Sequence, residues 1–134
     1  MKFRIIVRPA IALAVLLISA AVSSAQEDPV PKTRLRSPAS VSGHIGGESH
    51  DSYVIRARRG RRMTVQLSWR REGDNRAELT VSESANFFEG GSVNFGKTSA
   101  DGRRWDGRIP RTGDYYIYVV AHPEARYRLR VKVR

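Results

Sequence analysis

The chain has 134 residues, with 24 Lys or Arg against 13 Asp or Glu, a formal net charge of +11 and no cysteine. That length suits one small domain behind a leader, and the missing thiols exclude cysteine catalysis, thiolate zinc sites and disulfide scaffolding. The charge favours anionic partners; all but four of the basic residues are arginine, which fits bidentate recognition of carboxylate or phosphate or, equally, an arginine-rich coding bias.

Lys2, Arg4 and Arg8 form a positive region ahead of the apolar run 11–22, which is short for a bilayer span. Ser23 and Ala25 then supply the small residues that signal peptidase requires. Residues 1–25 read as a cleaved signal peptide, with an uncleaved anchor as the alternative, and the product as periplasmic or secreted. No later stretch is apolar over about 18 residues, so no integral membrane segment is expected after processing. Nucleic acid is scarce outside the cytoplasm, which leaves anionic proteins and envelope glycans as partners. Residues 26–38, QEDPVPKTRLRSP, carry three prolines and no periodicity and read as a flexible leader.

From 39 to 134 apolar residues alternate with polar ones in short runs broken by Gly, Pro, Asn and Asp, and no window has helical spacing. Strands are expected at 41–45, 51–57, 63–69, 77–82, 105–109, 114–121 and 126–133, which makes the domain an all-β antiparallel sandwich. Period two points Tyr53, Ile55, Met63, Val65, Leu67, Tyr115, Ile117, Val119, Tyr127, Leu129 and Val131 into the core. It points Arg56, Gln66, Ser68, Tyr116, Tyr118, Arg128, Arg130 and Lys132 outward, onto an ordinary solvated face. Residues 83–104 are long for a structureless loop, so an eighth, edge strand is expected at 92–95.

Two clusters are candidates for binding. Arg58, Arg59, Arg61 and Arg62 crowd a turn in which Gly60 is free to take positive φ, and such a group can grip a carboxylate or phosphate. Phe87, Phe88 and Phe95 either stack on sugars and anchor a partner, or fold back to plug one end of the sandwich. The three histidines and scattered acids have no metal-ligand spacing, no G-x-S-x-G elbow is present, and neither Gly-Gly pair opens a helix. No catalytic residues, metal or cofactor are expected.

Taken in order, Gly43-His44-Ile45, Asp51-Ser52-Tyr53-Val54-Ile55-Arg56-Ala57, Gly60-Arg61-Arg62-Met63-Thr64-Val65 and Ile109-Pro110-Arg111-Thr112-Gly113-Asp114-Tyr115-Tyr116-Ile117 resemble the bacterial pre-peptidase C-terminal domain group. Among its stand-alone exported members the chain is most similar to the periplasmic inhibitors of g-type lysozyme. The resemblance implies a jelly-roll-like β-sandwich of seven or eight strands over 39–134. It further implies a non-catalytic protein-binding role, with a basic loop between the last two strands entering the enzyme. Here that loop is short, 121–126, and Ala125 and Arg126 are the positions that match it, which adds Arg126 to the candidates. The acidic calcium-binding leader of the collagenase members has no counterpart in 26–38. An envelope-glycan or matrix adhesion module, using the loop aromatics with Tyr116 and Tyr118, is the alternative function.

Overall fold

Strands with one apolar face must bury it against a second such surface, and the alternation along this chain supplies two. The computed structural model describes residues 30–134, so the signal-peptide reading and the first residues of the leader lie outside the described residues. The strands are β1 (Lys32–Leu35), β2 (Ala39–Gly46), β3 (Asp51–Ala57), β4 (Arg62–Trp69), β5 (Arg76–Ser82), β6 (Lys97–Thr98), β7 (Arg104–Arg108), β8 (Gly113–His122) and β9 (Glu124–Val133). A four-stranded sheet, β1-β3-β8-β5, faces a five-stranded sheet, β2-β9-β4-β7-β6. Only β6 and β7 are neighbours both in sequence and in a sheet, so nearly every connection crosses from one sheet to the other, as in a jelly roll. The β1–β3 pair is parallel and all other pairs are antiparallel.

All seven expected strands are present, and the residues assigned to the core pack there. Three features differ. Lys32–Leu35, inside the segment read as flexible leader, is strand β1: it buries Leu35, and Arg34 forms two bonds to Asp114 at 3.1 and 3.2 Å. The edge strand expected at 92–95 lies instead at Lys97–Thr98. Residues 92–95 make one ladder-like contact, Val93 N–H to the Val81 carbonyl at 2.9 Å, before Phe95 turns inward onto Trp105 and Tyr115. Tyr118, assigned to the solvated face, is 2 % exposed. It points outward as alternation requires, but residues 84–88 lie over it: its hydroxyl donates to the Ser84 carbonyl at 2.6 Å and its ring meets Phe87 and His50.

The motif residues of the resemblance have identifiable structural work. Tyr127 of β9 reaches across the core to share a hydrogen bond with the Tyr53 hydroxyl and to donate one to the Asp51 carboxylate. Burial first, then the bond to Asp51, pushes the Tyr127 phenol far above its ordinary pKa, so it stays a neutral donor. Gly43 on β2 makes room for this: a Cβ there would sit 2.6 Å from the Tyr127 ring and hydroxyl. In the turn 110–115, the Tyr115 hydroxyl donates to the Arg111 carbonyl at 2.6 Å, a tyrosine-corner bond that pins the β7–β8 connection.

Candidate binding face

Strand β9 alternates strictly: Ala125, Tyr127, Leu129 and Val131 are buried, while Arg126, Arg128, Arg130 and Lys132 are exposed. Because β9 sits inside the five-stranded sheet, between β2 and β4, its cations stand in a row along the middle of a face. The cross-strand neighbours of the last three are uncharged and polar, while Arg126 lies across from His44. Arg128 lies between Ser42 and Ser68, Arg130 between Ser40 and Gln66, and Lys132 beside Thr64. From Arg126 to Lys132 the row is about 20 Å long, with roughly 7 Å between successive cations.

The acids of this face are committed elsewhere. Asp106 on β7 accepts from Arg62 at 2.6 Å and Arg104 at 3.2 Å, and these bonds, the Arg62 bond foremost, hold its carboxyl below the usual carboxylate range. Glu124 lies 3.3 Å from His44, and Glu72 3.5 Å from Arg70. Asp101 accepts from the Ser99 hydroxyl and the Arg103 amide. Among the described residues no carboxylate pairs with Arg126, Arg128, Arg130 or Lys132.

Three shallow depressions follow β9 end to end. The first, about 530 Å³, is bordered by His44, Trp69, Arg70, Arg126 and Arg128. The Trp69 ring carries the Arg103 guanidinium 4.0 Å over it. A second, about 410 Å³, shares Arg128 and Arg130 with Gln66, Arg103 and Arg104, and a third, about 420 Å³, lies between Ser40, Thr64, Arg130 and Lys132. The first depression sets part of Trp69 beside Arg126 and Arg128, two arginines without a carboxylate partner, and tryptophan and arginine are the residues that binding hot spots favour.

The other candidates are dispersed. Arg58, Arg59 and Arg61 project from the β3–β4 turn, where Gly60 has φ 86° and Arg61 N–H donates to the Arg58 carbonyl at 3.1 Å. Arg62 starts β4 and is tied to Asp106. Arg126 lies at the opposite end of β9 from this group, since Arg62 pairs with Arg134 and Arg70 with Arg126. The five arginines therefore do not form one site. Phe87 stacks on His50 at 4.0 Å, and Phe88 packs edge-on against Phe87 while remaining 50 % exposed. Phe95 bridges Trp105 of one sheet and Tyr115 of the other. The β8–β9 connection is tight, Pro123 alone separating the two strands, so Arg126 stands on the sheet rather than on a projecting loop.

Sequence alternation by itself places Arg128, Arg130 and Lys132 on an ordinary solvated surface. The signal that marks them is R-x-R-x-R-x-K, which period two places on one face; the serines and glutamine beside them become visible only with the sheet order.

No family model and no curated protein matches this chain. Solved structures do. Aeromonas hydrophila PliG, a periplasmic lysozyme inhibitor of g-type lysozyme, superposes with a TM-score of 0.63 at 20% identity, over 78% of this chain and 97% of that one. The pre-peptidase C-terminal domain of collagenase from Bacillus anthracis gives 0.57 at 17% identity, over 80% and 100%. Salmonella Typhimurium PliG gives 0.55 at 18%, over 77% and 98%. The β-sandwich of this chain is thus the fold shared by the pre-peptidase C-terminal domain and the PliG inhibitors.

Proposed function

We propose that this chain is an exported, non-catalytic binding module that holds an anionic protein at the Arg126 end of its basic face, with a g-type lysozyme as the most concrete partner. The observation that carries the reading is the depression bordered by Trp69, Arg126 and Arg128, in which two arginines have no carboxylate of their own. Glycosidases keep paired carboxylates in a cleft, and charge-assisted bonds from arginines on a rigid sheet could fill it. The fold shared with the PliG inhibitors, described as periplasmic, supports both the partner and the envelope location. The glycan alternative built on aromatic platforms has less support, because Tyr118 is covered and Phe87 is stacked into the molecule.

A lysis assay with g-type lysozyme tests this. The wild-type protein at molar excess should slow lysis, and Arg126→Gln should weaken that effect about tenfold, as expected for a charged pair largely removed from water. A triple Arg58→Gln, Arg59→Gln, Arg61→Gln variant should stay within about twofold of wild type, the effect of rim charges. Unchanged lysis with wild-type protein would exclude the lysozyme.

A further inference from the structure

Sheets ordinarily relieve a row of like charges by placing opposite charges across from it. Across from Arg128, Arg130 and Lys132 stand Ser40, Ser42, Thr64, Gln66 and Ser68, and across from Arg126 stands His44, so no carboxylate opposes the row and its repulsion is left standing. We propose that this row is a binding site for an extended anionic polysaccharide, laid along β9 with its acidic groups on the cations and its hydroxyls on the flanking serines, threonine and glutamine. The inference shares with the function proposed above the premise of an anionic ligand and the arginines Arg126 and Arg128; the ligand, and the stretch through Arg130 and Lys132, differ.

The shape and chemistry of the face select this class. The depressions succeed one another along a single strand, which suits a linear chain rather than a compact group. Protein interfaces rely on apolar or aromatic anchors at their centre. The one exposed large hydrophobic residue among those described, Phe88, packs against Phe87 and so lies with the loop over the four-stranded sheet. Trp69 stands only at the Arg126 end, beneath Arg103. Single-stranded nucleic acid needs stacking platforms along its path, and the central stretch from Arg128 to Lys132 offers none. A polyanion read through charge and hydroxyl bonds alone needs neither.

The test compares two variants of equal charge loss: Arg128→Gln, Arg130→Gln, Lys132→Gln on the row, and Arg58→Gln, Arg59→Gln, Arg61→Gln on the turn. All six side chains are exposed, and circular dichroism confirms that each variant is folded. Binding of heparin, polygalacturonate and a 20-base-pair DNA duplex is measured at low and physiological salt. The row variant should lose at least about 30-fold in affinity for the polysaccharides, and the turn variant less than threefold; a sulfate or a carboxylate preference then identifies the acidic group. Equal losses in both variants, binding confined to low salt, or tighter binding of the duplex would overturn the proposal. The row variant keeps Arg126. If it loses polysaccharide while wild-type protein still slows lysis, both readings stand. If polysaccharide binds but lysis is unaffected, the lysozyme reading alone fails; if lysis is slowed but no polysaccharide binds, this one does.

Discussion

Gly43→Ala should destabilise the domain by about 3 kcal/mol, although it adds a single methyl group to an extended strand. The new Cβ would lie 2.6 Å from the Tyr127 ring carbon and hydroxyl and 2.8 Å from a second ring carbon, well inside contact distance. Tyr127 has little freedom to withdraw, because its hydroxyl is bonded to both Tyr53 and Asp51. Overpacking costs about 1–3 kcal/mol, and breaking the buried bonds adds about 1–2 kcal/mol. In urea unfolding the midpoint should fall with the slope unchanged. Tyr127→Phe keeps the ring and loses only the bonds, so it should cost less, about 1–2 kcal/mol. A Gly43→Ala variant as stable as wild type would mean that the phenol is not held where this network places it. This explains why the glycine, the Asp-x-Tyr strand and the final tyrosine strand occur together: they are parts of one contact.

Trp105→Ala should cost about 3–5 kcal/mol, the range for removing a large buried aromatic. Trp105 is 4 % exposed, lies edge-on to Phe95, and pairs with Thr98 of β6. Its loss removes the support of Phe95 as well as the core volume, so residues 83–98 should also become the first site of limited proteolysis. Trp105→Phe, which retains a ring, should recover part of the stability. Equal protease resistance in wild type and Trp105→Ala would contradict the anchoring of this segment by Trp105.

The seven longer strands were legible because each sets apolar residues, or a glycine between two of them, at period two over five or more positions. Strand β1 was not: KTRL holds one apolar residue, Leu35, and prolines on either side suggest a coil. Its pairing with β3 is a tertiary fact. Tyr118 shows a second limit. Alternation decides which side of a sheet a residue faces, not whether something covers that side, and the cover here comes from Phe87, 31 positions earlier in the chain. The candidate site shows a third. Arginine is densest along the chain at 56–62, but a turn splays its side chains, whereas the cations of β9 are diluted in sequence by Tyr127, Leu129 and Val131 and aligned in space.

In the binding role proposed here the cations of the five-stranded sheet, and not the arginine-rich turn or the phenylalanine loop, receive the anionic partner. Amide and side-chain chemical-shift mapping on titration with an inactive g-type lysozyme, repeated with polygalacturonate, tests it most directly. Shifts are expected on Ser42, Ser68, Arg126 and Arg128 with the enzyme, extending through Arg130 and Lys132 with the polysaccharide. Shifts centred on Arg58–Arg61 or on Phe87 and Phe88, with β9 unmoved, would contradict it.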